Sequence, residues 1–321
     1  MIIGNVGSVG GSVLSLLLPL RSSKYPCRGS DQFARWSLSN RPSCRERSED
    51  MTVCLGAVCV NTEGHEAKAV VVASDRMVTL MGLTQFEHDV PKVSAITDRI
   101  SALIAGDALR GSRLVRELRA SLPSGGTATV EQVANAAGAL YSQHRHQQIE
   151  TEVFVPRGIT HQQYYGGLQM LPQIAGSIDQ YMVNFNFGTD FLIAGTDDAG
   201  AHLFYVGNPG GMANDFQMIG FHAIGSGMLH ALQSLIGFGQ APTRGLYETV
   251  FAVYASKRRA EVAPGVGKDT DMVVIEGAQS TRLDQAALSQ LEEIYQEVQK
   301  PVSDELRERM SALQFTNGGN A

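Results

Sequence analysis

Two short runs constrain this chain most. Residues 52–60 read TVCLGAVCV and residues 68–75 read KAVVVASD, both nearly all apolar and rich in β-branched side chains. A strand with one wet face alternates apolar and polar residues; a strand that does not alternate must be covered on both faces. The stretch between the runs is polar and contains Gly64, so the pair predicts a hairpin buried on both sides. Residues 92–97 (KVSAIT) and 99–105 (RISALIA) predict a second strand pair, turning at Thr97 and Asp98.

Beyond Gly106 the period changes. Leu109, Leu114, Val115 and Leu118 recur at helical spacing, with Arg110, Arg113, Arg116 and Arg119 on other faces. After the break PSGG at 123–126, Thr129 is the expected cap of a helix over 130–149. Residues 150–187, with Pro156 and Pro172, read as an insertion: a loop with a short helix. Strands are predicted at 191–195, 201–206 and 217–224, the last running into Gly225-Ser226-Gly227. Helices follow over 228–236 and 243–260, then a strand over 270–276 and a helical tail over 281–313 with a break at Pro301. Strands interleaved with helix pairs argue for an α+β fold of two antiparallel sheets with helices on both outer faces, not a βαβ parallel sheet.

Composition narrows the function classes. Lys and Arg number 26 against 32 Asp and Glu, a net charge of −6 that argues against nucleic-acid binding. No apolar run reaches the roughly 18 residues of a membrane span. Four cysteines in 321 residues make no disulfide scaffold, so a reducing, cytoplasmic compartment is expected. Charge also divides the chain: residues 1–50 carry +3 and the remainder −9. The first twenty residues are uncharged, with Arg21 and Lys24 after them, the reverse of a secretory signal. Residues 1–51 therefore read as a disordered or untranslated leader or a removable propeptide, with a poor signal peptide the third reading. Residues 52–277 read as the main domain and 278–321 as a C-terminal helical extension.

Several motifs fail on inspection. Gly265-Val266-Gly267-Lys268 resembles the end of a phosphate-binding loop, but Asp269 follows the Lys where Ser or Thr is required. Ser226 lacks the glycines two residues to each side that a nucleophile elbow needs. His144 and His146 do not face one site on a helix and no metal is expected. His222 and His230 flank Ser226 but read as core or surface histidines.

Four features survive: Thr52 opening the first strand, Asp75-Arg76 ending the second, Lys92 opening the next and Gly106 ending the one after. Together they resemble the proteasome-type N-terminal-nucleophile (Ntn) hydrolases, over about 52–276. Thr52-Val53-Cys54-Leu55-Gly56 resembles the family's first strand, residues 71–79 its second strand and turn, and Lys92-Val93-Ser94-Ala95-Ile96 its lysine strand. Ile104-Ala105-Gly106-Asp107 resembles its helix entrance, and Gly195-Thr196-Asp197 and Gly225-Ser226-Gly227 its later landmarks. The resemblance implies a four-layer αββα sandwich of two antiparallel sheets, as in a proteasome β-like subunit or a stand-alone bacterial relative. It implies a threonine-type peptide hydrolase with Thr52, Asp75, Lys92, Gly106 and Ser226 as catalytic residues and Thr79 binding substrate. It implies a peptide or unfolded-protein substrate, a homo-oligomeric ring and no cofactor. A catalytically inactive ring subunit, or an amidase for a non-peptide amide, is the alternative. Two positions depart from the pattern. An Asp-x-x-Ser before the last strand is not evident, leaving Asp269 or Asp271 to substitute, and Met51 stands where self-processing members have Gly.

The chemistry explains the residue types. A Thr hydroxyl needs a base, and an N-terminal Thr carries one, its α-amine, with a reference pKa of about 7.7–8.0. An ammonium at Lys92 would favour the neutral amine, Asp75 would pair with Lys92, the Gly106 N–H would hold the oxyanion, and Ser226 would hold the water beside the amine. This requires Thr52 to begin the mature chain. Translation from Met51 with loss of the initiator Met is the preferred route over autolysis.

Overall fold

The computed structural model describes residues 52–61, 68–80, 84–88, 91–123, 128–299 and 304–311, with the backbone alone at 79–80, 84–85 and 304–307. Residues 1–51, and with them every expectation about a leader, lie outside the described residues.

Twelve strands and eight α-helices occur among the described residues. They run β1 (Cys54–Cys59), β2 (Ala69–Asp75), β3 (Met77–Leu80), β4 (Thr84–Glu87), β5 (Val93–Thr97), β6 (Ile100–Gly106), α1 (Ala108–Ser121), α2 (Val130–Ile149), α3 (His161–Tyr165) and α4 (Pro172–Asn184). Then come β7 (Thr189–Asp197), β8 (Gly200–Val206), β9 (Asn214–Asp215), β10 (Phe221–Ile224), α5 (Met228–Gly237), α6 (Leu246–Ala260), β11 (Thr270–Glu276), β12 (Gln279–Arg282), α7 (Gln285–Val298) and α8 (Asp304–Ser311). The class is α+β, with antiparallel pairing throughout.

The first sheet has the order β10-β1-β2-β11-β12 and the second β5-β6-β7-β8-β9, with β3-β4 a separate ribbon. The continuous apolar runs follow from what lies on each face. From β1 and β2, Cys54, Val58, Val70 and Val72 meet Leu103, Ala105, Leu192 and Leu203 of the second sheet in one buried cluster. The alternate residues Val53, Leu55, Ala57, Val71 and Ala73 pack with Ala231, Leu235, Ala252 and Val253 of α5 and α6. Ile104, Ile193 and Phe204 of the second sheet pack with Leu114, Leu118, Val133 and Tyr141 of α1 and α2. Each fully buried Val or Leu contributes about 1.5–3 kcal/mol, so a polar substitution on either face of β1 is costly. Gly56 serves the same contact: a Cβ there would press on Leu203 at 3.0 Å and Val72 at 3.3 Å.

The helix starts follow their caps. Asp107 accepts from the N–H groups of Leu109 and Arg110, and Thr129 forms a capping box with Gln132. No helix among the described residues is long and apolar enough to cross a membrane.

The structure corrects several expectations. The insertion is helical, holding α3 and the 13-residue α4 where one short helix was expected. The strand expected at 217–224 begins only at Phe221; Gln217 donates to Asp215 and Gly220 to Phe216 in a turn, with Gly220 at φ +84°. Strands β3, β4, β9 and β12 were not expected, and helix α6 starts at Leu246 rather than 243. Residues 281–282 belong to β12, and the tail's helix begins at Gln285. Pro301 lies outside the described residues.

Candidate active site

Strand register gathers the site. In the first sheet Cys54 faces both Ser74 and Ile224, and Asp75 faces Thr270. The start of β1, the ends of β2 and β10 and the start of β11 therefore share one end of the sheet, bringing Thr52, Asp75, Ser226 and the 264–269 loop together. In the second sheet Val93 faces Leu103, so Lys92 and Gly106 share one end of that sheet.

Asp75 is the hub. Its side chain is fully buried, as is Thr52 at 3 % exposure. Oδ1 accepts from the Thr52 hydroxyl, from the Val53 N–H at 3.0 Å and from the Lys92 ammonium at 2.7 Å. Oδ2 accepts from the Met77 N–H at 3.1 Å and the Gly267 N–H at 3.0 Å. Lys92 also donates to Thr52 Oγ1. The Thr52 nitrogen donates to Ser226 Oγ at 3.2 Å, while the Thr52 carbonyl accepts from the Gly227 N–H at 3.2 Å and from Ser226 Oγ at 3.3 Å. Gly225, at φ +89°, admits this approach, because a Cβ there would collide with the Thr52 carbonyl. Three segments, at Asp75, Lys92 and 225–227, thus converge on Thr52, and the arrangement can hold an oxygen nucleophile between a carboxylate and an ammonium that are themselves largely closed to water.

Gly106 ends β6 at φ +97°, a conformation that favours glycine, and a Cβ would strike the Gly188 carbonyl. That carbonyl accepts the Asp107 N–H at 2.8 Å, and Arg110 donates to the Phe187 carbonyl at 2.6 Å. The exit of the insertion therefore buttresses the entrance of α1. Thr79 lies on β3 with its side chain outside the described residues.

Neither proposed substitute for the missing Asp-x-x-Ser serves the site. Asp271 is bound by Arg282. Asp269 lies against Glu87, and its carboxyl is pushed up by burial and by the Glu87 charge. Backbone groups stand there instead: the Pro264 carbonyl accepts from Ser226 Oγ at 3.4 Å and the Gly267 N–H reaches Asp75. His222 and His144 are occupied elsewhere, and His230 is exposed on α5. His222 stacks on Phe216 with ring centroids 3.9 Å apart, and burial pushes it down to about 4. His144 is buried and bonded to Glu117 at 2.5 Å. Cys54, beside the site, is buried and its thiol is pushed up to about 12 by desolvation, which leaves it inert as a nucleophile.

The sequence reading missed Gly267 and Lys257. In the sequence Gly267 stands only within the rejected phosphate-loop pattern and the stretch that lacks an Asp-x-x-Ser, neither of which points to its N–H. Lys257 had one visible signal, a place on the buried stripe of α6 with Leu246, Thr249, Val253 and Ala260. Neither a protein-family model nor a curated protein matches this chain.

Proposed function

We propose that the chain is a threonine-type peptide hydrolase of the proteasome-like Ntn kind, with its two sheets and flanking helices forming the four-layer αββα sandwich of that fold. The observation that carries this reading is the convergence of Asp75 and Lys92 on the Thr52 hydroxyl, with Ser226 on the Thr52 nitrogen. A buried Thr needs no such carboxylate and ammonium for stability alone, since burying a charge pair is costly.

In the 321-residue chain the Thr52 nitrogen is an amide and cannot act as a base. Removal of residues 1–51 converts it to an amine beside Ser226. The Thr52 oxygen then adds to the substrate carbonyl, and its proton passes to that amine. The Lys92 ammonium stabilises the oxygen as it loses the proton. The Gly106 N–H takes the oxyanion, a contribution of about 2.7–4 kcal/mol for one such donor. Collapse breaks the peptide C–N bond, the leaving amine takes the proton, and an ester to Thr52 remains. Water then adds to the ester with the same amine as base and releases the acid.

The same reading makes the protein a homo-oligomeric ring of the cytoplasm acting on peptides or unfolded chains. Exposed Tyr165, Leu171 and Val183 on an insertion whose residues 158–187 carry a single Asp, Glu, Lys or Arg, Asp179, support self-association, which light scattering reports. A second reading, an inactive ring subunit, is favoured by the absence of an acidic side chain at the 264–268 loop. The deciding experiment expresses the chain from Thr52 behind a removable leader, checks the amino terminus by intact mass, and follows fluorogenic peptides. Turnover that vanishes in Thr52→Ala supports the enzyme; a verified Thr52 terminus with no turnover and no labelling by a threonine-directed electrophile refutes it.

A further inference from the structure

The Lys257 side chain is fully buried, with none of its surface exposed. An ammonium has three donors, and all three are used: Glu261 Oε1 at 2.7 Å, the Gly267 carbonyl at 3.0 Å and the Lys268 carbonyl at 2.6 Å. Desolvation pushes its pKa below the ordinary lysine value, against the pull of Glu261. Glu261 does not need Lys257 as its partner, because Arg258 also holds it at 2.9 and 2.7 Å. The groups that depend on Lys257 are the two carbonyls.

Those carbonyls belong to the loop that closes over Asp75. Gly267 donates its N–H to Asp75 Oδ2 and gives its carbonyl to Lys257. The N–H of the same Gly267–Lys268 peptide group donates to Glu87 Oε1 at 2.6 Å. One peptide plane is thus pulled by an ammonium on one side and a carboxylate on the other. Two opposed charge-assisted bonds fix its rotation, and with it the direction of the neighbouring Gly267 N–H.

We propose that Lys257 is a positioning residue of the Thr52 site, clamping the 267–268 peptide so that the Gly267 N–H holds Asp75 in place. Its catalytic consequence rests on the threonine-hydrolase reading; the clamp itself does not. Lys257 touches neither Thr52 nor Lys92 in its bonds; it reaches the site through the Gly267 N–H on Asp75, and its charge also favours the Asp75 carboxylate directly.

The test compares wild type with Lys257→Met, both verified to begin at Thr52, by turnover and by amide hydrogen exchange resolved at Gly267. In the folded variant kcat falls about 10- to 100-fold, the scale of a misplaced catalytic group, while KM stays within about twofold. Exchange at Gly267 rises in parallel, while the amides of β2 stay protected. A folded K257M with wild-type kcat, or with wild-type protection at Gly267, overturns the proposal. A wild type without turnover defeats the hydrolase reading and leaves the clamp to the exchange measurement. If K257M does not fold, wild type alone decides: the Gly267 amide exchanges as slowly as the β2 amides, and fast exchange there overturns the clamp.

Discussion

Removing the charge of Asp75 should cost far more stability than removing that of its partner Lys92. In Asp75→Asn the carboxamide keeps one acceptor and gains a donor. If its NH2 takes the Oδ2 side, it faces the N–H groups of Met77 and Gly267; if it takes the Oδ1 side, it faces the Val53 N–H, the Thr52 hydroxyl and the Lys92 ammonium. Either way at least two donors lose their acceptor in a fully buried place. At about 1–3 kcal/mol for each orphaned group, and with the buried ion pair broken, the expected loss is about 3–5 kcal/mol. Lys92→Met is different. Asp75 keeps four donors, three of them the backbone N–H groups of Val53, Met77 and Gly267. The Lys92 side chain is 15 % exposed, so part of its charge is solvated already. About 1–2 kcal/mol is expected there. Urea unfolding of both single variants and the double variant checks this, with a coupling of about 1–3 kcal/mol between the sites. Equal losses in the two single variants would show that the Lys92 ion pair, not the backbone cradle, holds the carboxylate.

Two further outcomes are expected. Gly106→Ala combines a positive φ with a collision against the Gly188 carbonyl, so urea unfolding should show a loss of about 2–4 kcal/mol; a loss under about 1 kcal/mol would contradict the assigned turn. His222 has its folded pKa depressed to about 4 by burial, against about 6.5 unfolded, so the unfolded chain binds the extra proton between those values and stability rises with pH across that window. His222→Phe should remove a pH-dependent contribution of about 3 kcal/mol across that window, and parallel wild-type and variant curves from pH 4 to 6.5 would refute the assignment.

What was legible in the sequence was what local chemistry dictates. The doubly buried strands announced themselves because β1, and β2 as far as Ala73, carry apolar residues or glycine on both faces, and α2 because Thr129 and Gln132 write its first turn. Helix α4 was obscured because only Ile178 is buried, with Gly176 and glutamines breaking the period. Strands β3, β4 and β12 are four residues each, and the exposed residues of β12, QSTR, have no apolar alternation to read, although only residues 277–278 separate them from β11.

The candidate site divides the same way. Thr52, Asp75, Lys92 and Ser226 carry their chemistry in side chains, so their types and order on successive strands could be read before any contact was known. The 264–268 loop carries its chemistry in peptide groups, and a peptide N–H is the same at every non-proline position. Its role at Gly267 depends on direction, which the chain acquires only when Lys257 and Glu87 grip the next peptide from opposite sides. A search for an acidic side chain in that loop therefore finds nothing, although Asp75 receives a donor from it. The nearest legible trace is Lys257 itself, a lysine on the apolar stripe of α6. A cation there must find buried oxygen atoms. Having only one carboxylate within its bonds, and that one shared with Arg258, it takes main-chain carbonyls for the other two and so ties the orientation of the loop to the packing of the helix.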